Sequence, residues 1–375
     1  MIQYTRGQLS DYPDLLDFGN YVFKIDFKEL LPKLYDNRPH LAPYHFITKE
    51  DDRIKAMVGA FPLDLNVANT SLKGFGIGTV SVHPYSRGKG YMKQLMKNAL
   101  DFMVDEQADF AILSGQRQRY EYFGFTPTGC NMCFNIDKVN LIHRGFTHIE
   151  AFTLQPFTQI SSVDLAKIHD WHHQKALHST RPLQDFIDIC KSWEATPYTL
   201  YIQGELKGYF ILCGTSILDF YLEDIDLLGH ALYFLMHECN KTVLEMTAGL
   251  HMPQVLSLLL SFAENYRLTT STHLQIFNYQ KFIQSFLELK ASFDTLIEGT
   301  LIIEIQNYTT LSIEVTDKIS VRPTTQTPDI SLSHLEATHF LCDPIRFIPP
   351  TLTHKAALIH SWFPLPFSFC QVDNV

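Results

Sequence analysis

The spacing of apolar residues along the chain alternates between the two-residue period of strands and the longer period of helices. In the first part, strands are predicted within HFITKEDDRIKAMVGAFPLDLNV, GFGIGTVSVHP and DFAILSG, and short helices within DYPDLLDFGNYVF, DFKELLPKLYD and QRQRYEYFGF. A longer helix follows GFGIGTVSVHP, because apolar residues recur there at helical spacing: Tyr91, Leu95, Met96, Ala99, Phe102 and Met103. The first part is therefore predicted to be a mixed α/β domain.

The rest of the chain divides into two further units. Residues 150–290 contain a predicted hairpin, YTLYIQGELKGYFILCG, flanked by helical stretches, and their order of elements is similar to that of the first part. Beyond them, GTLIIEIQ and TTLSIEVTD alternate as strands do, ISLSHLEATHFL is predicted to be helical, and the end is rich in proline. We therefore predict three domains, at residues 1–147, 148–288 and 289–375.

Composition narrows the class of protein. The chain has 375 residues, of which 46% are hydrophobic and 13% aromatic, as expected for folded globular domains. No apolar run approaches the eighteen or so residues of a membrane span, and the first ten residues lack the apolar core of a secretory signal. We therefore expect a cytoplasmic protein.

Cysteine and charge exclude further classes. The seven cysteines are irregularly spaced, so a disulfide framework is not expected, and the one close pair, Cys130 and Cys133, has no second pair to complete a zinc site. The first 150 residues are balanced in charge, and the whole net charge of −10 lies in the remainder. Such a protein is a poor nucleic-acid binder. An acidic later part suits cationic substrates, although a solvated acidic surface also explains it.

A basic, glycine-bearing turn at residues 87–92, Arg-Gly-Lys-Gly-Tyr-Met, joins a strand to the long helix. A helix N-terminus has unpaired N–H groups and a partial positive charge, and glycines let the backbone approach a phosphate closely. The turn is therefore a candidate diphosphate cradle. It matches neither the Walker nor the Rossmann glycine pattern. The alternative is an ordinary strand–helix junction with surface cations.

The context of the turn resembles the GNAT acetyltransferases. Their acetyl-CoA signature, Arg/Gln-x-x-Gly-x-Gly/Ala after V-x-V-x-P, is similar to Val80-Ser81-Val82-His83-Pro84 followed by Arg87-x-x-Gly90-x-Met92, with Met92 departing from the small residue. Over essentially the whole chain, the layout resembles the Eis-type (enhanced intracellular survival) members of that family. The resemblance implies an α+β protein with tandem GNAT folds, the second lacking the turn, and a C-terminal sterol-carrier-like domain.

The resemblance also implies site residues. Tyr120, in Tyr-x-x-Phe-Gly-Phe, corresponds to the proposed general acid that protonates the CoA thiolate, and the terminal carboxylate of Val375 corresponds to the general base. The family terminus is more often aromatic than valine. A carboxylate held in a low-dielectric cleft can deprotonate an ammonium group. The residues implied to bind acetyl-CoA are Val80, Ser81, Val82, Arg87, Gly88, Lys89, Gly90, Tyr91, Met92, Lys93, Gly115 and Gln116.

The implied reaction is direct transfer of an acetyl group from acetyl-CoA to a primary amine, such as an aminoglycoside, a polyamine, or a lysine or peptide amine. Neither a covalent enzyme intermediate nor a metal is expected, and the family often forms homo-oligomers, including hexamers. Two alternatives remain: a lipid-binding protein and a non-catalytic acetyl-CoA sensor.

Other polar residues receive no role in the reaction. The three histidines His169, His172 and His173 share a helix face, and a partly exposed polar face is favoured over a zinc site. Asp26, Asp64 and Glu121 could line a substrate cleft, but ordinary surface charges are the simpler interpretation.

Overall fold

The computed structural model describes residues 1–147 and 151–375. Residue 148, where the second domain was expected to begin, lies outside the described residues. The chain forms two compact units. The first unit comprises residues 1–129, 271–367 and 374–375, and the second unit comprises residues 130–270 and 368–373. Within the described residues, no helix has both the length and the apolar character needed to cross a membrane.

The described residues form nineteen strands and thirteen α-helices, in addition to short 3-10 turns. The strands are β1 (Ile2–Arg6), β2 (His45–Glu50), β3 (Arg53–Val67), β4 (Thr70–Val82), β5 (Phe110–Leu113), β6 (Thr126–Thr128), β7 (Asn131–Asp137), β8 (Phe152–Pro156), β9 (Leu177–Ser179), β10 (Thr196–Ile202), β11 (Glu205–Cys213), β12 (Ser216–Leu222), β13 (Val243–Gly249), β14 (Asn265–Thr269), β15 (Thr272–Ile276), β16 (Gly299–Ile305), β17 (Thr309–Val315), β18 (Ile319–Pro323) and β19 (Ile330–Leu332). The helices are α1 (Tyr12–Phe23), α2 (Phe27–Leu30), α3 (Pro32–Tyr35), α4 (Tyr91–Asp105), α5 (Arg117–Tyr120), α6 (Lys138–His143), α7 (Ser162–His173), α8 (Phe186–Lys191), α9 (Leu228–Glu238), α10 (Pro253–Phe262), α11 (Tyr279–Ala291), α12 (His334–Cys342) and α13 (Ala356–Trp362).

The main sheet of the first unit follows the order β1-β2-β3-β4-β5-β15-β6. Strands β1 to β4 are antiparallel neighbours; tight turns join β2 to β3 and β3 to β4, whereas helices α1 to α3 lie between β1 and β2. Strands β4 and β5 are parallel because helix α4 crosses between them. Helix α4 packs on this sheet with the apolar face that its sequence predicts, burying Tyr91, Leu95, Met96, Ala99 and Met103. The predicted long helix is therefore confirmed.

The second unit contains its own seven-stranded sheet, in the order β14-β7-β13-β12-β11-β10-β8. Its predicted hairpin is present as β10 and β11, and β12 and β13 form a parallel pair that is joined through helix α9. Since the first unit also has a parallel pair joined by a helix, the two sheets repeat one arrangement. The predicted similarity in the order of elements is confirmed.

A third sheet, β18-β17-β16-β19, lies in the first unit. The stretch ISLSHLEATHFL was expected to be helical throughout, but its first three residues form β19, which pairs in parallel with β16. Helix α12 begins only after Ser333, whose hydroxyl accepts a hydrogen bond from the Glu336 N–H while the Glu336 carboxylate accepts one from the Ser333 N–H. This capping box fixes the helix start and explains the difference.

The compact units divide the chain differently from the three expected domains. Strand β7 pairs with β13 and β14 of the second unit, although it precedes residue 148. Strand β15 pairs with β5 and β6 of the first unit, although it precedes residue 289. These pairings join residues more than 100 positions apart, so the local patterns used to draw the domain limits could not report them.

Candidate functional site

The site begins where two parallel strands of the first unit separate. The ladder between β4 and β5 ends at the pair Ile77 and Leu113, whereas β4 continues to Val82. On its other edge, β4 remains paired with β3 through Ser81 and Val82. Among the described residues, therefore, no strand pairs with the other edge of Val80, Ser81 and Val82, as expected for a strand that receives a ligand alongside it.

The basic turn after β4 has the backbone of an anion cradle. Gly88 and Gly90 have φ angles of +82° and +80°, which favour glycine, and a Cβ built on either would meet nothing within 4 Å. Gly90 is the N-cap of helix α4, so no N-cap side chain can satisfy the N–H groups of the first turn. Arg87 and Lys93 are exposed beside it. An anion can therefore approach the backbone from solvent.

Lys89 and Tyr91 of the turn contact a carboxylate at the end of β2. The Lys89 Nζ lies 2.9 Å from Glu50 Oε1, and the Tyr91 hydroxyl also donates to Glu50. The hydrogen bond from Tyr91, followed by that from Lys89, lowers the pKa of the Glu50 carboxyl, and the same contacts raise the pKa of the two donors. Lys89 is therefore an ion-paired lysine, which the sequence analysis did not foresee.

An open cleft of about 580 Å³ lies beside the turn. Its lining includes Lys89 of the turn and, from helix α4, Lys93 and Lys97, which are four residues apart and so lie on one side of that helix. The Lys93 Nζ lies 4.4 Å from the centre of the Tyr122 ring, which also lines the cleft. Met92, the departure from the GNAT signature, is half-buried and packs against the core of the first unit. The cleft thus combines three cations with an exposed aromatic ring.

Tyr120 lies at the end of helix α5, and only 6% of it is exposed. Its ring packs against Gly115: a Cβ built on that glycine would lie 2.4 Å from Tyr120 Cε2. Gln116 is the exposed N-cap residue of α5. Burial raises the pKa of the Tyr120 phenol, partly offset by Arg119, so the phenol stays protonated at neutral pH and can act as an acid. Gly124 ends the following turn in the left-handed region, with φ +90°.

The chain terminus lies against strand β4. A Cβ built on Gly78 would lie 2.6 Å from the carboxyl carbon of Val375 and 2.8 Å from its oxygen, and one built on Gly76 would lie 2.5 Å from Val375 Cγ2. The terminal residue therefore occupies the space that two missing side chains leave. Val375 was predicted from the sequence, whereas Gly76 and Gly78 were not, although they alternate visibly in GFGIG.

The residues without a predicted role have structural partners. In the second unit, His172 is buried and not partly exposed as expected, because its Nε2 contacts the Ser179 carbonyl at 2.8 Å inside the core. His169 and His173 are half-buried and contact backbone carbonyls. Asp26 accepts a hydrogen bond from the Lys28 N–H at the start of α2, and Glu121 pairs with Arg117.

Asp64 is exposed. Among residues 1–147 and 151–375, no group of three or more His, Cys, Asp or Glu side chains is arranged to hold a metal ion.

Comparison with known proteins gives the class of the first domain. Residues 3–128 match the acetyltransferase (GNAT) domain family, and they contain β4, the basic turn, helix α4 and Tyr120. The chain therefore carries a GNAT acetyltransferase domain. That class implies an acyl-CoA donor and an amine acceptor. No curated protein sequence matches the chain.

Solved structures extend the likeness beyond that domain. A GCN5-related N-acetyltransferase from Anabaena variabilis is similar over 99% of this chain and 98% of its own, with a TM-score of 0.69 and 13% identity. Eis1 from Mycobacterium abscessus is similar over 98% of this chain and 99% of its own (TM-score 0.66, 14% identity). A probable N-acyltransferase from Enterococcus faecalis covers 90% and 89% (TM-score 0.65, 15% identity).

These similarities concern the fold. They confirm the predicted α+β class and are consistent with tandem GNAT folds. The match of residues 3–128 to the GNAT domain family supports an acetyltransferase, as predicted from the sequence.

Proposed function

We propose that the protein is an acetyl-CoA-dependent N-acetyltransferase that transfers acetyl directly to a primary amine. The observation that carries the proposal is the position of the Val375 carboxyl group over Gly78, inside the unit that contains the matched acetyltransferase domain. A chain terminus is ordinarily frayed and solvated. The Val375 carboxylate instead lies against strand β4, which leads into the basic turn at residues 87–92. It is therefore in a position to serve as a base.

The residues present fit a nucleotide thioester. Gly88 and Gly90 leave the backbone of the turn open, and the N–H groups from Gly88 to Lys93 would hold the diphosphate. Because the Lys89 ammonium is paired with Glu50, we expect Arg87 and Lys93 to supply most of the counter-charge. The cleft lined by Lys93, Lys97 and Tyr122 would take the remaining phosphate and base.

When bound, acetyl-CoA supplies an activated acyl group. The free edge of β4 at Val80, Ser81 and Val82 would direct backbone N–H groups at the thioester oxygen, where negative charge develops during attack. Gly115 and Gln116 would border the pantetheine arm. Each of these roles belongs to the backbone or to a side chain of the first unit.

Two groups would move protons. The Val375 carboxylate would take a proton from the substrate ammonium, because an amine is a nucleophile only after deprotonation. The Tyr120 phenol, kept protonated by burial, would give its proton to the departing thiolate. With these two groups moving the protons, we propose that the acetyl group passes directly to the amine without a covalent enzyme intermediate.

The test is release of free thiol from acetyl-CoA across a panel of aminoglycosides, polyamines and peptide amines, with calorimetric titration of CoA in parallel. We expect binding and thiol release that depends on the amine. A variant with three residues appended after Val375 should bind CoA normally and lose turnover. Binding without acetylation of any amine would favour the acetyl-CoA sensor, and co-purifying lipid without CoA binding would favour the lipid carrier.

Further assignments belong to the same proposal. We propose an Eis-type enzyme in which residues 289–375 form a sterol-carrier-like domain. We also propose that the chain forms a homo-oligomer, such as a hexamer. The seven cysteines are free thiols, which supports a reducing compartment such as the cytoplasm. The acceptor is proposed to be cationic, because the net charge of −10 lies beyond residue 150.

A further inference from the structure

One peptide unit that follows the proposed general acid is hydrogen-bonded on both of its sides. This unit joins Gly124, which ends the turn after Tyr120, to Phe125. Its N–H, from Phe125, donates to the Tyr120 carbonyl at 3.2 Å. Its carbonyl, from Gly124, lies 3.0 Å from Nε2 of His334, the first residue of helix α12. The peptide therefore connects the backbone of Tyr120 with a side chain from a distant part of the chain.

The partners of His334 fix which ring nitrogen carries the hydrogen. A carbonyl oxygen can only accept, so the Nε2 that faces Gly124 is the donor. Burial lowers the pKa of the His334 imidazole, so the ring is neutral near pH 7 and its Nδ1 is an acceptor. The Tyr279 hydroxyl lies 2.8 Å from that Nδ1, a shorter contact than its 3.2 Å to the His334 carbonyl. Hydrogen bonds thus run in one direction from Tyr279 through His334 and the Gly124–Phe125 peptide to Tyr120.

The His334 ring is also held by its surroundings. It stacks on the ring of Tyr308, with the ring centres 4.8 Å apart and the planes 17° from parallel. A Cβ built on Gly124 would lie 3.4 Å from His334 Nε2 and 3.0 Å from Gln275 Nε2. The absence of a side chain at Gly124 therefore leaves room for the histidine to reach the carbonyl.

Two further side chains place helix α12 along the segment that follows Tyr120. His339 Nε2 lies 2.8 Å from the buried Thr126 Oγ1, and His339 Nδ1 lies 2.6 Å from Asp343 Oδ2. The buried Thr128 hydroxyl donates to Asp343 Oδ1 at 2.6 Å. Together with His334, these side chains contact residues 124, 126 and 128 in turn. All of these residues belong to the first unit, so the helix has a defined register on β6 and on the turn before it.

We propose that His334, itself oriented by Tyr279, positions the general acid Tyr120 through the Gly124–Phe125 peptide. The Tyr120 ring packs against Gly115, so where the phenol lies depends on where the backbone places its Cα. His334 and Tyr279 are positioning residues. The inference rests on the proposed role of Tyr120 as the acid, and it gives helix α12 a part in the reaction.

The test removes the hydrogen-bond donor and then restores it. His334→Phe keeps a flat ring for the stack on Tyr308 and loses the Nε2 donor, whereas His334→Gln keeps an amide N–H at similar reach. The matched control is His339→Phe, which makes the same replacement on the same helix but breaks the contact with the Thr126 hydroxyl and leaves the Gly124 carbonyl bonded. The readouts are kcat, KM for acetyl-CoA and amine, the CoA dissociation constant and the melting temperature.

We expect His334→Phe to lower kcat about tenfold, with both KM values and the CoA dissociation constant within twofold of wild type, because only the placement of the acid changes. His334→Gln and His339→Phe should keep kcat within about threefold. The double variant Tyr120→Phe/His334→Phe should be no slower than Tyr120→Phe alone, because His334 acts through Tyr120.

Three results would overturn the inference: full kcat in a folded His334→Phe variant, an equal loss in His339→Phe, or additive losses in the double variant. If His334→Phe does not fold, His334→Asn takes its place, because its shorter amide cannot reach the carbonyl while His334→Gln can.

A second readout does not need turnover. Hydrogen exchange of the Phe125 amide, followed by NMR, reports how often the bond to the Tyr120 carbonyl opens. Exchange should be at least tenfold faster in His334→Phe and close to wild type in His334→Gln and His339→Phe. Unchanged exchange in His334→Phe would refute the inference, whereas wild-type protein that acetylates no amine would refute only the proposed function.

Discussion

Replacing Gly78 by alanine probes the seat of the terminal carboxylate with one methyl group. The new Cβ would lie 2.6 Å from the carboxyl carbon of Val375, and ordinary contact begins at 3.4 Å, so the carboxyl group must retreat by about 0.8 Å. Misplacing a reacting group by about 1 Å can cost on the order of 10² in rate. We therefore expect kcat to fall 30- to 100-fold, which corresponds to about 2–2.7 kcal/mol of activation free energy.

The same substitution should leave the fold intact. The Gly78 backbone is extended and its φ is not in the left-handed region, so alanine meets no backbone strain there. The atoms that must move are the backbone carboxyl carbon and oxygen of Val375. Alanine also reduces the entropy of the unfolded chain, worth roughly 0.4–1 kcal/mol, which offsets part of the cost of that shift. The melting temperature should therefore stay close to that of wild type.

Gly76→Ala supplies a matched comparison. Its Cβ would lie 2.5 Å from a methyl group of Val375 and would not meet the carboxyl group, so its loss in kcat should be restored by shortening the last residue with Val375→Ala. The loss caused by Gly78→Ala should persist in the Val375→Ala background, because there the clash is with the backbone. Steady-state thiol release and calorimetric CoA titration provide the measurements. Wild-type kcat in a folded Gly78→Ala protein would show that the terminus is not the base.

Three further predictions concern other parts of the molecule. Tyr120→Phe should lower kcat at least 30-fold with CoA affinity unchanged, because only the proton is lost; equal turnover would remove Tyr120 from the chemistry. Lys97→Ala should raise KM for acetyl-CoA several-fold and leave kcat within twofold, as measured by initial rates; a drop in kcat alone would contradict a binding role. In the second unit, burial acts to raise the pKa of Asp219, but Lys175 and Arg181, at 2.5 and 2.9 Å, outweigh it and hold that pKa well below its usual range. This carboxylate therefore stabilises the unit above its unfolded pKa of about 4, and the stability falls as the pH drops below that value. Asp219→Asn should lower the free energy of unfolding by about 3–5 kcal/mol at pH 7, as measured by chemical denaturation. It should also weaken the loss of stability at acid pH, and an unchanged loss at acid pH would refute the assignment.

Local features of the chain were predictable because local forces decide them. The apolar positions of α4 and the glycines of the turn follow from helical periodicity and from the conformational freedom of glycine, and both are present as predicted. These features need no information about distant parts of the chain.

Features that depend on distant residues were missed. The place of β15 in the first sheet depends on partners more than 100 positions away. His172 was assigned to a partly exposed face by its spacing, but the Ser179 carbonyl offers its ring a buried hydrogen bond. Glu50 could not be connected with Lys89 until β2 was known to end beside the turn. In each case a tertiary contact overrides an interpretation drawn from a short window of sequence.

The glycines of GFGIG show how a local pattern acquires its meaning from elsewhere. Glycine weakens a strand because it loses more conformational entropy on folding than other residues and offers no side chain to pack. A series of alternating glycines on one strand therefore calls for an interaction that requires the missing side chains. The terminal Val375 supplies that interaction, since its side chain and carboxyl group fill the spaces over Gly76 and Gly78. A carboxylate that belongs to the backbone has no rotamers of its own, and its position is therefore set by the surface that receives it. Strand β4 leads into the turn at Gly88 and also contacts the Val375 carboxylate. This one strand therefore positions both the proposed acetyl-CoA site and the proposed base.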